Sequence, residues 1–257
     1  MVDLTTLSGL PLKFDDISEK FQYGAGVTYN ACNRIPLVSM LPGLLNKSLR
    51  YPEIVYLEHK NIHNEKDNGL FEQGKFNYDM LMLPSGVMGV EFIRTHVFYN
   101  EVVTPDQPGL SEIVEVLSGG LTVLLQKNTP RVDKWEFGTA VSEGLVVKLN
   151  RGEKFSIPRG YFYTFINNRA KPVVFSRFYI KGCACDYSTQ LKEQGLAYFA
   201  IRKNAKQEIV LNPRYRDIPK IKKTNPNVIT NKIKFELNPG PLYQQVVAQA
   251  PSLLAWF

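Results

Sequence analysis

The sequence predicts an all-β sandwich or barrel, and two observations support this fold class. Between Glu53 and Ala200, short runs rich in β-branched and aromatic residues alternate with turn residues, a pattern typical of antiparallel all-β folds. The clearest turns each contain glycine, which tolerates a positive φ, and they cover residues 84–86, 118–120, 150–152 and 158–160. The length of 257 residues and the 44% hydrophobic content fit a single domain of this kind.

Ten strands are predicted in this region, each bounded by turn residues. In chain order they cover Ile54–Leu57, Phe76–Leu83, Glu91–Tyr99, Glu112–Leu117, Leu121–Gln126, Leu145–Leu149, Lys154–Ile157, Tyr161–Ile166, Val173–Tyr179 and Ala197–Arg202. We therefore expect the barrel to occupy residues 53–212, after an N-terminal wrap over residues 1–52.

The remaining residues, 213–257, are predicted to form a basic connector and a C-terminal helix. Apolar residues recur at helical spacing from Leu242 to Phe257, so we expect a helix that Pro251 breaks. This helix would dock on the barrel or on a partner protein.

Positive charge is concentrated in the connector. Between Arg214 and Lys234 there are seven basic residues against Asp217 alone, a net charge of +6 in a chain of net charge +7. The segment fits a solvated connector, a site for an acidic protein partner or a nucleic-acid site. Nucleic acid is the least favoured, because Tyr215 is the only aromatic residue available for base stacking.

Composition indicates a reducing compartment. No apolar run reaches the length of a membrane span, and residues 1–18 do not resemble a signal peptide, so we expect a cytoplasmic protein, with import without a recognisable presequence as the alternative. The three cysteines do not suggest a disulfide framework. Cys183 and Cys185 are interpreted as ordinary thiols, with half of a metal site as the alternative.

The segment from Gly152 to Asn167, with sequence GEKFSIPRGYFYTFIN, carries the sharpest motif. It resembles the second conserved motif of the cupins, G-x5-P-x-G-x2-H-x3-N, except that Tyr163 replaces the histidine. The segment from Glu112 to Gly119 resembles the second half of the first cupin motif. This resemblance implies a cupin β-barrel, also called a double-stranded β-helix or jelly roll.

Three further segments resemble the cupin-type glucose-6-phosphate isomerases. They run from Leu83 to Thr95, from Tyr179 to Gly195 and from Ile209 to Tyr215, so the resemblance spans roughly Glu53 to Tyr215. It implies interconversion of glucose 6-phosphate and fructose 6-phosphate, with a divalent metal bound by three histidines and a glutamate.

Most of the metal ligands implied by the resemblance are missing. If Thr95 matches the family's threonine, the ligand positions are occupied by Phe98, Asn100, Glu112 and Tyr163. Phenylalanine cannot bind a metal, and neutral asparagine and tyrosine are poor ligands. We therefore expect no cofactor, with Mn or Fe only if the isomerase activity persists.

Glu112 is the one surviving ligand, and it has two interpretations. As an unpaired carboxylate in an apolar barrel it would serve as a catalytic base without metal; alternatively it pairs with Arg94 or Arg177. The resemblance also suggests a sugar pocket, and its candidate substrate-binding residues are Thr95, Tyr99, Tyr163, Tyr179 and Tyr187. Aromatic residues in a barrel are otherwise core residues.

The histidines offer alternative ligands. His96 is two residues from Phe98 and therefore shares its strand face, which fits a shifted metal site or an ordinary histidine. His59 and His63 have helical i,i+4 spacing, but their polar neighbours predict a loop. We expect a surface pair there.

Two functions follow from these patterns. The favoured one is a noncatalytic cupin acting as a binding or structural subunit of a larger assembly, through the basic segment 214–234 and the C-terminal helix. The alternative is an isomerase with an altered or metal-free site centred on Glu112. Binding of a sugar phosphate and homodimer formation both remain open.

Overall fold

The computed structural model describes residues 1–73, 75–99, 112–129, 139–180, 192–226 and 235–254. Strands dominate these ranges: β1 (Val2–Asp3), β2 (Leu12–Asp15), β3 (Lys20–Tyr23), β4 (Val27–Thr28), β5 (Ala31–Pro36), β6 (Ile54–Lys60), β7 (His63–Asn64), β8 (Phe76–Leu83), β9 (Val87–Met88), β10 (Glu91–Arg94), β11 (Phe98–Tyr99), β12 (Ile113–Ser118), β13 (Gly120–Asn128), β14 (Thr139–Asn150), β15 (Lys154–Ser156), β16 (Phe162–Asn167), β17 (Val173–Ile180), β18 (Tyr198–Lys203), β19 (Lys206–Leu211), β20 (Tyr215–Arg216) and β21 (Lys222–Thr224). The α-helices are α1 (Thr5–Ser8), α2 (Leu37–Met40), α3 (Asn68–Glu72) and α4 (Leu242–Leu254). Short 3-10 turns cover Leu41–Gly43 and Glu65–Asp67.

Two large sheets form the body of the molecule. One has the strand order β15-β12-β17-β8-β6-β5, and all its neighbours are antiparallel. The other follows β19-β18-β10-β16-β13-β14-β20, with β9, β11 and β21 joined to its side. The predicted all-β architecture is confirmed; nine of the ten predicted strands each correspond to one observed strand, and the tenth corresponds to two.

One predicted strand is interrupted. The run from Glu91 to Tyr99 divides into β10 and β11. At the break, Thr95 pairs with Phe165 through its side chain as well as its backbone, so the regular backbone-to-backbone hydrogen bonding of the two strands stops there. Its backbone N–H donates to the Phe165 carbonyl at 2.9 Å, and its hydroxyl accepts from the Phe165 N–H at 3.1 Å. The break redirects the chain just before Phe98.

The main core lies between the two sheets, where alternate side chains of each strand point inward. In β13, for example, Leu121, Val123 and Leu125 belong to this core, whereas Leu124 packs in a separate cluster with Ile166 on the outer face. This period of two is the geometry of a pleated strand. Because both faces of β13 are covered, nearly all of its side chains are buried.

The outer face of the six-stranded sheet is covered by two segments distant in sequence. Leu4, Leu10 and Phe14 from the N-terminal region share one apolar cluster with Leu242 and Val246 of α4. The helix therefore docks on its own chain. It also continues through Pro251 to Leu254, so the predicted break at Pro251 is wrong; the buried residues before the proline hold the helix in place.

The described part of the basic connector is partly ordered into strands. β20 and β21 each pair in parallel with β14 at the border of the large sheet. Lys222 and Lys223 in β21 are exposed, while residues 227–234 lie outside the described ranges. Among the helices that the structure describes, none is long and apolar enough to cross a membrane.

Candidate functional site

Glu112 is buried just before β12 and is bound by two side chains. Only 1% of it is exposed. Arg177 donates from Nε to Glu112 Oε1 at 2.6 Å and from Nη2 to Oε2 at 2.8 Å, and the Tyr163 hydroxyl donates to Oε2 as well. Arg94, the other suggested partner, instead lies 3.2 Å from Glu91.

Strand register brings these residues together. Phe98 lies directly opposite Tyr163 across the β11–β16 pair. Arg177 lies opposite Val114 across the β12–β17 pair, so the position two residues before Val114 is its diagonal neighbour on the same face. Diagonal neighbours are within reach of long side chains, and the guanidinium reaches the Glu112 carboxylate.

Arg177 is a buried cation at the centre of this site. Its Cζ lies 4.2 Å from the centroid of the Phe98 ring, and its Nη1 lies 3.4 Å from Glu58 Oε1. Burial alone would lower the pKa of Arg177, but the charge and hydrogen bonds of Glu112 raise it well above the usual value. The guanidinium therefore stays charged, and Glu112 has a permanent counter-ion.

A second set of paired charges lies beside Arg177. Lys60 Nζ contacts Asp79 Oδ2 at 2.7 Å, Glu58 Oε1 at 3.0 Å and the Tyr179 hydroxyl at 3.1 Å, while Tyr179 donates to Asp79 at 2.7 Å. Burial, followed by the Asp79 charge, raises the pKa of Tyr179. All three donors of Lys60 are thus used within the protein.

Glu58, Lys60, Arg177 and Tyr179 belong to the lining of a cavity of about 240 Å³ at the barrel mouth. Its lining consists of Asn33, Ile35, Tyr56, Glu58, Lys60, His96, Phe98, Arg177 and Tyr179. His96, which lies in the break between β10 and β11, and Phe98, the first residue of β11, line it together. Glu112 is not in the lining; its partner Arg177 is, and binds the Glu112 carboxylate from the cavity side.

His96 is held as a neutral ring. Its Nε2 donates to the Ser39 carbonyl at 3.2 Å, and its Nδ1 accepts from the Tyr56 hydroxyl at 3.0 Å. Burial lowers the pKa of His96. With both ring nitrogens engaged, His96 is an ordinary buried histidine rather than a preformed metal ligand.

Of the described candidate sugar-binding residues, Tyr179 lines this cavity, whereas Thr95, Tyr99 and Tyr163 do not. Thr95 is fully buried; its hydroxyl donates to the His96 carbonyl at 2.9 Å and lies 3.2 Å from the Thr164 hydroxyl. Tyr99 stacks on Phe162 at 4.3 Å and lines a different cavity, together with Lys192 and Glu193. Tyr163 lies in the core and Tyr179 lines the barrel cavity, as described above. Tyr187 and Asn100 lie outside the described residues.

The prediction of a surface loop at His59 and His63 is wrong. His59 lies in β6 and His63 in β7, and they are only 6% and 5% exposed. His59 Nδ1 bonds the Tyr23 hydroxyl at 2.7 Å, whereas His63 bonds the Asn61 carbonyl and the Asn68 side chain. Aromatic residues of the N-terminal segment cover β6, and the polar neighbours in sequence do not reveal this cover.

The cysteines give no further ligand set among the described residues. Cys32 is exposed, and its Sγ lies 3.6 Å from His59 Nε2. Cys183 and Cys185 lie outside the described ranges. In the ranges that are described, no three histidine, cysteine, aspartate or glutamate side chains come together in a way that could hold a metal ion.

Sequence reasoning missed Glu58, Lys60 and Asp79. Asp79 interrupts the otherwise mostly apolar run of β8 and is fully buried. A buried aspartate almost always has a charged partner, so this position was a usable signal. Glu58 and Lys60 are two residues apart in β6 and therefore face the same side.

Comparison with models of known protein families identifies the family of this chain. The family model described as glucose-6-phosphate isomerase matches residues 45–216. The chain belongs to this family. The match covers the barrel and the site around Glu112, and the cupin resemblance of the two sequence motifs agrees with it, so the fold is a cupin β-barrel.

Among solved structures, peruvianin-I, a cysteine peptidase from Thevetia peruviana latex, matches at 14% identity over 40% of this chain and 49% of its own, with a TM-score of 0.27. The vicilin from Solanum melongena matches at 13% identity over 51% of this chain and 30% of its own, with a TM-score of 0.33. Oxalate decarboxylase from Bacillus subtilis matches at 10% identity over 49% of this chain and 25% of its own, with a TM-score of 0.32. The chain thus spans half or less of the length of these three structures. No curated protein matches it significantly.

The described residues do not fit the metal that the family resemblance implies. Phe98 has no donor atom, and Tyr163 gives its hydroxyl hydrogen to Glu112. Both oxygens of Glu112 are already bonded, and the neighbouring cation is Arg177. The Arg177 guanidinium therefore contacts two of the residues at the family's metal-ligand positions, Glu112 and Phe98.

Proposed function

We propose that the chain is a noncatalytic member of the glucose-6-phosphate isomerase family that serves as a binding or structural subunit of a larger assembly. One observation carries this proposal: the only surviving metal-ligand residue, Glu112, is bound by Arg177 at 2.6 and 2.8 Å and is 1% exposed. A general base must lie within hydrogen-bonding reach of the proton it removes. Glu112 is not among the described residues that line the barrel cavity, and its carboxylate is already bound by Arg177 and Tyr163.

The basic segment supports the assembly role. Its described lysines in β21 are exposed beside β14, and most of the chain's excess positive charge lies between residues 214 and 234. An acidic protein surface is the partner that this charge would attract, since complementary charge speeds encounter and selects partners. α4 offers less apolar surface to a partner protein, because its apolar residues pack on its own chain.

A coupled assay from fructose 6-phosphate to glucose 6-phosphate tests the proposal. The purified full-length chain should give no turnover above the enzyme-free rate, with or without added Mn²⁺ or Fe²⁺. Elemental analysis should find no stoichiometric transition metal. An active family member assayed in parallel controls for the coupling system.

Glu112→Gln decides what any observed turnover means. Turnover that this variant abolishes while it remains folded by circular dichroism would establish the isomerase alternative and overturn the proposal. Should the single variant fail to fold, Glu112→Gln combined with Arg177→Met removes both charges and serves as the second test. Turnover unchanged in these variants would identify a contaminating isomerase.

A further inference from the structure

A second cavity lies at the other end of the barrel, where β8 and β16 end. Its volume is about 400 Å³, and its lining consists of Ser85, Gly86, Phe92, Asn168, Arg169, Ala170, Arg202, Ala205 and Gln207. Small-molecule sites commonly have volumes of roughly 300–1,000 Å³. Asn168 directly follows β16 and is five residues beyond Tyr163, which places this cavity roughly 16 Å from the Glu112 site at the usual strand rise.

Two arginines give the cavity its charge. Arg169 and Arg202 both line it, and no carboxylate residue does. Within the described ranges neither guanidinium has an ion pair, whereas the nearby Lys171 and Lys203 each contact a carboxylate, at 3.5 and 3.3 Å. The cavity therefore presents two positive charges that pair with no carboxylate in the part of the chain that the structure describes.

The backbone around both arginines is fixed. The Arg169 N–H donates to Asn167 Oδ1 at 3.0 Å, and the Arg202 N–H donates to the Val90 carbonyl at 2.7 Å. The Arg169 side chain lies over Gly120, where a Cβ would come within 3.2 Å of Nε. A glycine at this position thus leaves room for the guanidinium beside the sheet.

The rest of the cavity offers polar and apolar contacts. The Asn168 amide donates to Gln207, which ties the β16–β17 turn to β19. Phe92, Ala170 and Ala205 supply an apolar side. A ligand for this cavity would combine a compact anionic group with a small apolar or ring-shaped part.

We propose that this cavity binds a small phosphate monoester, with its dianionic phosphate between Arg169 and Arg202 and its organic part against Phe92. The planar guanidinium matches phosphate oxygens in a two-point contact, which makes arginine well suited to this class of anion. The site is independent of the proposed function, since it lies outside the barrel mouth and shares no residue with the Glu112 site.

Isothermal titration of the full-length chain with phenyl phosphate tests the site. We expect binding that is stronger than that of inorganic phosphate, and no binding of phenol, because the anion supplies most of the attraction. Arg169→Met and Arg202→Met should each weaken phenyl phosphate binding about tenfold or more, as loss of a charge-assisted hydrogen bond does. Phenyl phosphate should also raise the melting temperature of the wild type but not of the double variant.

Lys171→Met combined with Lys203→Met is the matched control, because it removes the same charge from positions close in sequence but outside the cavity. This control should bind phenyl phosphate as the wild type does. An equal loss of affinity in the control would show that phenyl phosphate is attracted by the positive charge of the surface in general, and would contradict the proposed site. Absence of binding to the wild type at millimolar phenyl phosphate would overturn it as well. All four substituted residues are exposed, so the variants should fold.

Discussion

At the scale of single residues, Arg177 and Glu112 depend on each other. Both are almost fully buried, so removal of either partner leaves an uncompensated charge in the core. Breaking a buried pair in this way typically costs about 3–5 kcal/mol, whereas replacing both partners by residues of similar volume is often nearly neutral. The pair therefore specifies the arrangement of the site more than it stabilises the fold.

A double-mutant cycle measures this dependence. Arg177→Met and Glu112→Gln should each lower the free energy of unfolding by about 3–5 kcal/mol, and the double variant should lose less than the sum. Urea denaturation followed by circular dichroism gives the values.

The exposed pair Lys203 and Glu208 is the control for this cycle. Its atoms lie 3.3 Å apart, and the side chains are 61% and 45% exposed. Lys203→Met and Glu208→Gln should each cost less than about 1 kcal/mol. Strictly additive losses at Arg177 and Glu112 would contradict the coupling.

Part of the site was accessible from sequence at this scale. The loss of the histidines and the survival of Glu112 follow from motif alignment alone. Motif alignment does not show whether Glu112 pairs with Arg94 or with Arg177, because the partner depends on which strand lies beside β12 in the folded sheet. Tyr163 illustrates the same limit: the motif places it in the barrel, but only the register shows that its hydroxyl bonds Glu112.

At the scale of elements, α4 is held by specific contacts as well as by apolar packing. The Leu242 N–H donates to Glu115 at 2.8 Å, and the Tyr243 hydroxyl accepts from the Asn64 N–H at 2.9 Å and donates to Asp67. Leu242 and Val246 are fully buried. The helix is therefore part of the folded unit.

Leu242→Ala tests this attachment. The substitution should lower the free energy of unfolding by about 2–5 kcal/mol, because it removes a buried side chain and leaves a cavity. Urea denaturation measures the change, with Gln244→Ala on the exposed side of the helix as the control. If the two variants were equally stable, the helix would not be docked in solution.

The elements differ in how well the sequence predicts them. The ten barrel strands were predicted because each is a short apolar run between clear turns. β5 and β20 were not, since they are defined by pairing with β6 and β14 rather than by their own composition. Pro251 was given too much weight, because a helix anchored by several buried residues tolerates one lost hydrogen bond.

At the scale of the whole molecule, His59 makes stability depend on pH. Burial lowers the pKa of His59 to about 4 from the usual 6.5. The unfolded chain therefore takes up a proton at His59 as the pH falls below 6.5, while the folded chain does not until about pH 4. Stability from this source is complete above pH 6.5 and is lost as the pH falls towards 4.

Urea midpoints measured between pH 7 and pH 4.5 check this dependence. His59 should contribute a slope of up to about 1.4 kcal/mol per pH unit. His59→Gln retains a partner for Tyr23 and should flatten the profile. Its neighbours Tyr23 and Cys32 do not titrate in this range, because burial raises the pKa of each. An unchanged profile in the variant would contradict this role.

The shared cover of the six-stranded sheet has a consequence for biosynthesis. β17, the last strand of this sheet to be synthesised, ends at Ile180, about 60 residues before α4 begins at Leu242, which is roughly 3–12 s at about 5–20 residues per second. Throughout that interval the sheet surface that α4 will cover stays bare and open to aggregation. The nascent chain should therefore bind chaperones until the helix is synthesised, and a stop codon placed just before Leu242 should turn that brief association into a lasting one.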